Sequence, residues 1–428
     1  MTGPQPSSPQ AGLEPGIWGV RPREAGYGAL AGSEGSFVPT AGQAQALRAF
    51  REFLAIPEPG VFTLCGYAGT GKSTLVRYLV AELPGGLAAT RVVAPTAKAA
   101  SVLRRKGFPS ATTVHKMFYR VIRCSEPKMH SPGCECAKKD VWVFAPPDLR
   151  GIRLIVVDES SMVSQKMAED LCSLPVKILA IGDKFQLPPV GGGNSLLTMN
   201  RPDAELTEVT RQALDSPVLW LATEIREKRR LPRGHFDESL VTDHGLNIPY
   251  MDYEQMPIIV RRNRTRHDVN ISTRVVLGRP GWEPVIGDRV IGRRNDYEAG
   301  VINGEMYRVV GSPVGTDRDW FPITIDDDDS MQPELTARVV SAWSLLFKGS
   351  GGHAEFDKMD GRSKRHAQEL HYGYCITAHS SQGSEWDSVF VLDESSTFDD
   401  KWRWLYTAVT RAASRVYVLA DYRHWIGA

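Results

Sequence analysis

Five stretches of this 428-residue sequence carry side chains suited to work together on a nucleoside triphosphate. The first is Gly66-x-x-x-x-Gly71-Lys72-Ser73, inside LCGYAGTGKSTLV, which has the spacing of a phosphate-binding loop. Glycines at Gly66, Gly69 and Gly71 let the backbone curl. The N–H groups of the run from Ala68 through Thr70 and Ser73 to Thr74 can then converge on phosphate oxygens. The N-terminus of a following helix adds the positive end of its dipole. Lys72 would reach the β and γ phosphates and Ser73 would ligate Mg²⁺. The second stretch is LIVVDESSMV, where Asp158 suits the metal ion and Glu159 suits activation of an attacking water. It follows the loop by about ninety residues, an ordinary separation for two strands of one nucleotide-binding sheet. The third is GDKFQLPPV, in which the Gln186 amide can sense a γ-phosphate while Pro188 and Pro189 stiffen the exit. The fourth, LYTAVTRAASRVYVL, offers Arg411, whose guanidinium can stabilise charge developing during phosphoryl transfer. The fifth, LTEVTRQ, offers Arg211 as a second such arginine at the junction of two halves.

These residues need elements to hold them. Val61–Leu64 reads as a short buried strand and Ser73–Val80 as the start of a helix. From Phe37 to about Gln212, apolar runs such as TRVVAPT, IRLIVVDES and VKILAIGD alternate with helical patterns. Runs of this kind, apolar on both faces, predict a parallel sheet covered by helices. A second series, MPIIVRRN, GYCITAHS, DSVFVLDES and SRVYVLAD, predicts a second α/β unit. Between about Val285 and Leu370 the texture changes to short β-rich runs punctuated by Gly and Asn, which predicts a small inserted β-barrel. The acidic run Asp326–Asp329 reads as a solvated loop within it. Residues 1–36, rich in Gly, Pro, Ser and Ala, read as a disordered tail. Lys72 falls in the first unit and Arg411 in the second, so a nucleotide touching both would lie in a cleft whose closure turns chemistry into relative motion.

Lys and Arg number 51 against 50 Asp and Glu, so a nucleic-acid partner would be held by local basic patches. Arg226–Arg233 and Arg261–Arg266 are the two candidates, each with the alternative of a solvated face. No apolar run is long enough for a membrane span and no secretory leader is visible. Six cysteines in a chain this long are not a disulfide framework, and a reducing, cytoplasmic setting is expected. Cys65, Cys172 and Cys375 read as core packing. Cys124, His130, Cys134 and Cys136 have the donor types for Zn²⁺ but a C-x-C spacing tighter than usual, and free thiols in a polar insertion are the alternative.

Beyond these stretches, PTAGQAQALRAF, APTAKAASVLRRK, ATTVHKMF, YCITAHSSQGSEWDSVFV and YTAVTRA fall in a characteristic order. With the loop, DESSMV and GDKFQLPPV, they make the chain resemble superfamily 1 DNA helicases of the RecD-like, Dda-like, 5′-to-3′ branch, from Phe37 to Leu419. The resemblance implies an α/β fold of two tandem RecA-like P-loop domains with an SH3-like insertion. Its implied boundaries are 37–212 for the first motor domain, with a small insertion at about 116–150, 213–284 and 371–428 for the second, and 285–370 for the SH3-like part. It implies ATP and Mg²⁺, with Gln43 recognising adenine and Glu385 near the ribose. It also implies single-stranded DNA held by Thr96, Lys98, Thr113 and His115 from the first domain and by His379, Ser381 and Gln382 from the second. His115 has the alternative of a structural side chain at a helix start. Phe118, Tyr119, Trp142 and Phe144 would form either a strand-separating wedge or a local core. The implied protein is a monomer that unwinds forked duplex in a bacterial or phage-infected cell, during replication, recombination or repair, beside replication or single-strand-binding proteins. A translocase that strips proteins from DNA with little unwinding is the alternative; a small-molecule kinase or a catalytically dead binding module leaves more of the motifs unexplained.

Overall fold

The computed structural model describes residues 38–122, 141–188, 201–210, 215–229, 231–242, 252, 254–296, 299–311, 313, 318–328, 336–360, 363–394 and 400–420. The tail, the four Cys and His residues of the zinc expectation, Arg211 and Pro189 lie outside them.

The chain enters through helix α1 (Ala41–Ala55), started by a capping box in which the Thr40 hydroxyl accepts from the Gln43 N–H. Its apolar stripe of Ala46, Leu47 and Phe50 is buried. Strand β1 (Val61–Gly66) then leads through the glycine loop into α2 (Lys72–Glu82). Next come β2 (Thr90–Ala94), α3 (Ala97–Arg105), β3 (Thr112–Thr113) and α4 (Val114–Phe118). An antiparallel hairpin, β4 (Tyr119–Ile122) with β5 (Val141–Phe144), precedes β6 (Leu154–Val157). Then follow α5 (Gln165–Cys172), β7 (Lys177–Gly182) and β8 (Ala204–Leu206). The sheet order is β3-β2-β6-β7-β1-β8, all parallel. All four residues of β6 are buried, as expected for a strand covered on both faces.

The second unit begins with α6 (Pro217–Arg226), β9 (Gly234–Phe236) and β10 (Ser239–Thr242), then β11 (Ile258–Val260) and α7 (Asn263–Val276). The chain leaves to build an antiparallel sheet from β12 (Arg289–Gly292), β13 (Met306–Gly311), β14 (Trp320–Asp327) and β15 (Arg338–Trp343). Helix α8 (Gly349–Lys358) and strand β16 (Leu370–Tyr372) complete this insertion. Its sheet order is β15-β14-β13-β12-β16. The insertion therefore runs two residues past the expected end at 370, because β16 pairs with β12 through Tyr372.

The chain returns as β17 (Cys375–Thr377), α9 (Ala378–Ser381), β18 (Trp386–Leu392), α10 (Lys401–Val409) and β19 (Ala412–Leu419). The second sheet is ordered β17-β11-β18-β19-β10-β9, parallel except for β9. Two α/β units with parallel sheets, and a β-rich insertion in the second, agree with the reading of the sequence.

Two expectations are corrected here. Asp326 is not solvated: it is 2 % exposed at the end of β14 and accepts from the Thr336 hydroxyl. Asp328 bridges Arg289 (3.0 Å) and Arg308 (3.2 Å), so cations from neighbouring strands hold this acidic run. Cys172 is exposed at the last residue of α5, whereas Cys65 and Cys375 are buried as expected.

Candidate functional site

Strands β1, β6 and β7 end side by side in the parallel sheet, where α/β folds place ligands. Gly66 closes β1, Asp158 follows β6 and Asp183 follows β7. Their loops wall a cleft of about 350 Å³ that also takes Ser384, Glu385 and Arg411 from the second unit.

The glycine loop fits its role sterically. Gly69 and Gly71 hold φ of 75° and 78°, in the left-handed region that favours glycine. A Cβ on Gly71 would lie 2.6 Å from the Gln43 amide nitrogen. That amide is 3 % exposed; Nε2 donates to the Thr70 carbonyl (3.0 Å) and Oε1 accepts from the Thr40 N–H (3.0 Å). Gln43 thus braces the loop from behind and does not line the cleft. The Lys72 ammonium is turned onto its own loop, donating to the carbonyls of Gly66 (2.6 Å) and Tyr67 (2.8 Å). Those are neutral acceptors that an anion would outcompete. The Ala68 N–H is already used, donating to the Tyr406 hydroxyl at 2.8 Å.

Asp158 and Glu159 line the same cleft, with Ser73 at the start of α2. Glu159 has φ of 48°, a strained conformation for a residue with a side chain, worth on the order of 1–3 kcal/mol. Desolvation pushes both carboxyls up from their ordinary pKa, and Asp158 adds to the rise at Glu159. Lys72 pulls both down, and Arg411 pulls Glu159 down. The Gln186 side chain is 8 % exposed, and its Oε1 is buried with no hydrogen-bond partner among the described residues. Such an orphan acceptor is costly unless a donor arrives.

Arg411 is 5 % exposed. Its guanidinium donates to the carbonyls of Thr407 (3.1 Å) and Ser384 (3.1 Å) and to the Thr410 hydroxyl (3.3 Å). All three are neutral, and Arg411 forms no ion pair among the described residues. Its charge is left for the cleft. Glu385 pairs instead with Lys106 of the first unit at 3.0 Å, an ion pair that spans the mouth.

A second cleft, of about 590 Å³, runs between the same two units. Thr96 and Lys98 come from α3 and its cap, with Pro188 just after the β7 loop. Arg261, His379, Ser380 and Gln382 come from the second unit, and Arg293 and Asn303 from the insertion. Gln382 joins the two clefts: its Nε2 donates to the carbonyl of Leu187 (2.8 Å), the neighbour of Gln186.

Comparison with known proteins finds matches in both units. Residues 39–240 match the AAA domain family, and residues 372–419 match the UvrD-like helicase C-terminal domain family. The ATP-dependent RecD2 DNA helicase of Deinococcus radiodurans is 26 % identical over 396 residues, 85 % of this chain and 47 % of that protein. The ATP-dependent DNA helicase dda of Enterobacteria phage T4 is 30 % identical over 195 residues, 43 % of this chain and 40 % of that protein. The chain is thus similar to superfamily 1 helicases of the RecD-like and Dda-like kind. It spans less than half the length of the curated relatives it matches. Bacteroides Pif1, solved bound to single-stranded DNA, shares the fold with a TM-score of 0.52 at 17 % identity, over 90 % of this chain and 93 % of that one.

The first cleft gathers Gly66's loop, Lys72, Ser73, Thr74, Asp158, Glu159, Gln186, Glu385 and Arg411. The second gathers Thr96, Lys98, His379 and Gln382. Ser381 is displaced from it: it is wholly buried, and its hydroxyl donates to the Ala378 carbonyl at 2.8 Å. Its neighbour Ser380 faces the cleft and accepts from Arg293 at 2.8 Å. Thr377 caps α9, and the phase of that one-turn helix selects between the two serines, which sequence order alone does not reveal. Thr113 and His115 do not line this cleft either. Thr113 caps α4, and His115 packs between Tyr119 (5.1 Å) and Trp142 (5.2 Å), where burial lowers its pKa. Phe118 and Tyr119 are buried in the first unit's core, with Trp142 and Phe144 packed against them, so the local-core alternative describes these aromatics. Arg293 and Asn303 were missed because they belong to a β insertion whose strands carry no nucleotide pattern.

Proposed function

We propose that this chain is an ATP-driven DNA helicase that moves 5′ to 3′ on single-stranded DNA and unwinds duplex. The observation that carries this reading is the joint lining of one cleft by Lys72, Asp158, Glu159 and Gln186 of the first unit and Arg411 of the second. Lys72, released from its loop carbonyls, would hold the β and γ phosphates. The orphan Oε1 of Gln186 would find its donor in the attacking water, and Glu159, standing beside it, would take that water's proton. Arg411, held only by neutral oxygens, would meet the charge that builds on the transferred phosphoryl group. Ser73 and Asp158 are a fitting oxygen pair for Mg²⁺, which when bound neutralises phosphate charge.

Single-stranded DNA would occupy the second cleft. Thr96, Lys98, Arg261, Ser380 and Arg293 offer hydroxyl, ammonium and guanidinium donors that grip phosphates without reading bases. The 213–284 and 371–428 segments would act as the second motor domain, with the five-stranded insertion as an SH3-like module rigidly attached to it. Loss of the terminal phosphate would loosen Arg411 from the first unit and shift one grip along the strand.

Duplexes bearing a single 5′ or a single 3′ overhang test the reading directly. ATP-dependent displacement from the 5′-tailed substrate alone is expected. Displacement from the 3′-tailed substrate would overturn the polarity, and DNA-stimulated ATP hydrolysis with no displacement would favour a translocase.

A further inference from the structure

Helix α10 does more than carry the chain to Arg411. Three of its residues, Arg403, Tyr406 and Thr407, lie on one face at i, i+3 and i+4 spacing. All three grip the loop Asp183–Leu187 of the first unit. Arg403 donates to the Lys184 carbonyl, Tyr406 donates to Asp183 Oδ2 (2.6 Å), and Thr407 accepts from the Leu187 N–H (3.0 Å). The Tyr406 hydroxyl has a second bond, accepting from the Ala68 N–H of the glycine loop (2.8 Å). One phenol therefore ties two loops of the first unit to a helix of the second. It is 1 % exposed, Asp183 is 1 % exposed, and Phe185 packs edge-on against the ring at 5.1 Å. Neither Tyr406 nor Asp183 is among the groups assigned to phosphate, metal or DNA above.

We propose that Tyr406 is a positioning residue that pins the glycine loop and the Gln186 loop to α10, so that Arg411 and Gln186 enter the nucleotide cleft together. The physical reason is the rigidity of the linkage. Arg411 donates to the carbonyl of Thr407, the residue next to Tyr406, so the guanidinium and the pin share a helix end. Gln186 lies between Asp183, held by Tyr406, and Leu187, held by Thr407 and Gln382. Rotating the second unit away breaks the bonds to Ala68 and Asp183 at once. Among the described residues the Asp183 carboxylate then keeps only the Phe185 N–H (2.9 Å). A buried carboxylate stripped of a donor is costly, and that cost favours the aligned arrangement.

The inference rests on the helicase reading for its catalytic consequence and on geometry alone for the pin. Tyr406→Phe keeps the ring and removes only the hydroxyl. Hydrogen exchange of the peptide covering Gly66–Lys72 should quicken about tenfold or more in Tyr406→Phe, with the thermal midpoint little changed, as expected for loss of one charge-assisted bond. DNA-stimulated kcat for ATP should fall about ten- to a hundredfold, while KM for ATP and affinity for ADP stay within about threefold. Asp183→Asn should reproduce the fall, and the double variant should cost little more than either single one. Unchanged exchange in the glycine loop, or additive effects of the two substitutions, would overturn the pin. A wild-type protein without DNA-stimulated hydrolysis would sink the helicase reading, and the exchange result would still decide the pin.

Discussion

Arg274 and Arg411 are both buried arginines of the second unit, and their surroundings differ in kind. Arg274, on α7, is wholly buried opposite Asp288, also wholly buried, with Nη2 to Oδ2 at 3.0 Å. Its remaining donors reach the carbonyls of Gly281 and Glu283, and Tyr374 donates to the same Asp288 at 2.7 Å. Those contacts fasten both the exit from α7 into the insertion and the return to β17. Among the described residues Arg411 has neutral acceptors only, in a cleft it shares with Gln186, whose buried amide oxygen has no partner there. The first interface is complete as it stands, and the second is complete only with an anion in it. A fully satisfied boundary predicts parts that move as one body, whereas an unsatisfied one predicts a boundary that a ligand closes.

Breaking the unsatisfied side should give the largest change in function. Arg411→Ala is expected to leave ATP binding largely intact and to cut hydrolysis by about 10³ or more, as loss of an arginine finger does. Lys72→Ala should abolish turnover. Single-turnover hydrolysis with a fluorescent-nucleotide binding measurement checks both. Normal hydrolysis by Arg411→Ala would mean that the cleft is not shared.

Breaking the satisfied side should act on stability instead. Arg274→Met removes the nearer cation from the buried Asp288 carboxylate, which keeps the Tyr374 hydroxyl (2.7 Å) and Arg279 at 3.6 Å, and should cost about 3 kcal/mol in denaturant unfolding. Replacing Arg274 and Asp288 together with apolar residues should recover much of that. If Arg274→Met left stability intact while weakening DNA binding, the insertion would be a moving part.

These two arginines also show what was readable from the sequence. Arg411 was legible because it stands just before a strand, in a stretch that resembles a helicase motif and follows those of Lys72, Asp158 and Gln186 in order. Strands β1, β6 and β7 were legible for a related reason: apolar runs closed by Gly or Asp have few other uses. Arg274 was not legible, since its partner is fixed by how the insertion folds back and nothing local marks the pair. The choice of Ser380 over Ser381, the burial of Asp326 and the bracing role of Gln43 likewise depend on helix phase and tertiary contacts.

The boundary between α7 and the insertion makes a further prediction about acid. His267 on α7, His353 on α8 and His371 on β16 stack together, with ring centroids 3.5 Å apart for the first pair and 4.3 Å for the second. Burial, then the nearby Arg266 cation, lowers His267 to about 2 and His353 to about 3, and holds His371 well below its ordinary range. Arg293 adds to the depression at all three. Folded pKa values below the unfolded value mean that the unfolded chain binds more protons as pH falls from about 6.5 towards 3. Stability should therefore fall with acid through this window, by about 1.4 kcal/mol per pH unit for each histidine. His371→Asn should flatten the slope of unfolding free energy against pH, and an unchanged slope would show that the cluster takes up protons without opening.

The smallest effect is expected where the moving boundary is held by charge in the open. Lys106 and Glu385 meet at 3.0 Å across the cleft mouth, with side chains 43 % and 45 % exposed. Lys106 holds Glu385 below its ordinary pKa, against the desolvation that would raise it. A pair this wet is worth at most about 1 kcal/mol and is screened by salt. Lys106→Ala should leave the thermal midpoint unchanged and alter the ATP concentration for half-maximal rate by no more than about fivefold, an effect that fades as salt rises. The pair can break and reform at each turnover at little cost, which suits a boundary that opens. A destabilisation comparable to that of Arg274→Met would show that the mouth is held as firmly as the insertion, and the contrast between the two interfaces would no longer mark which of them moves.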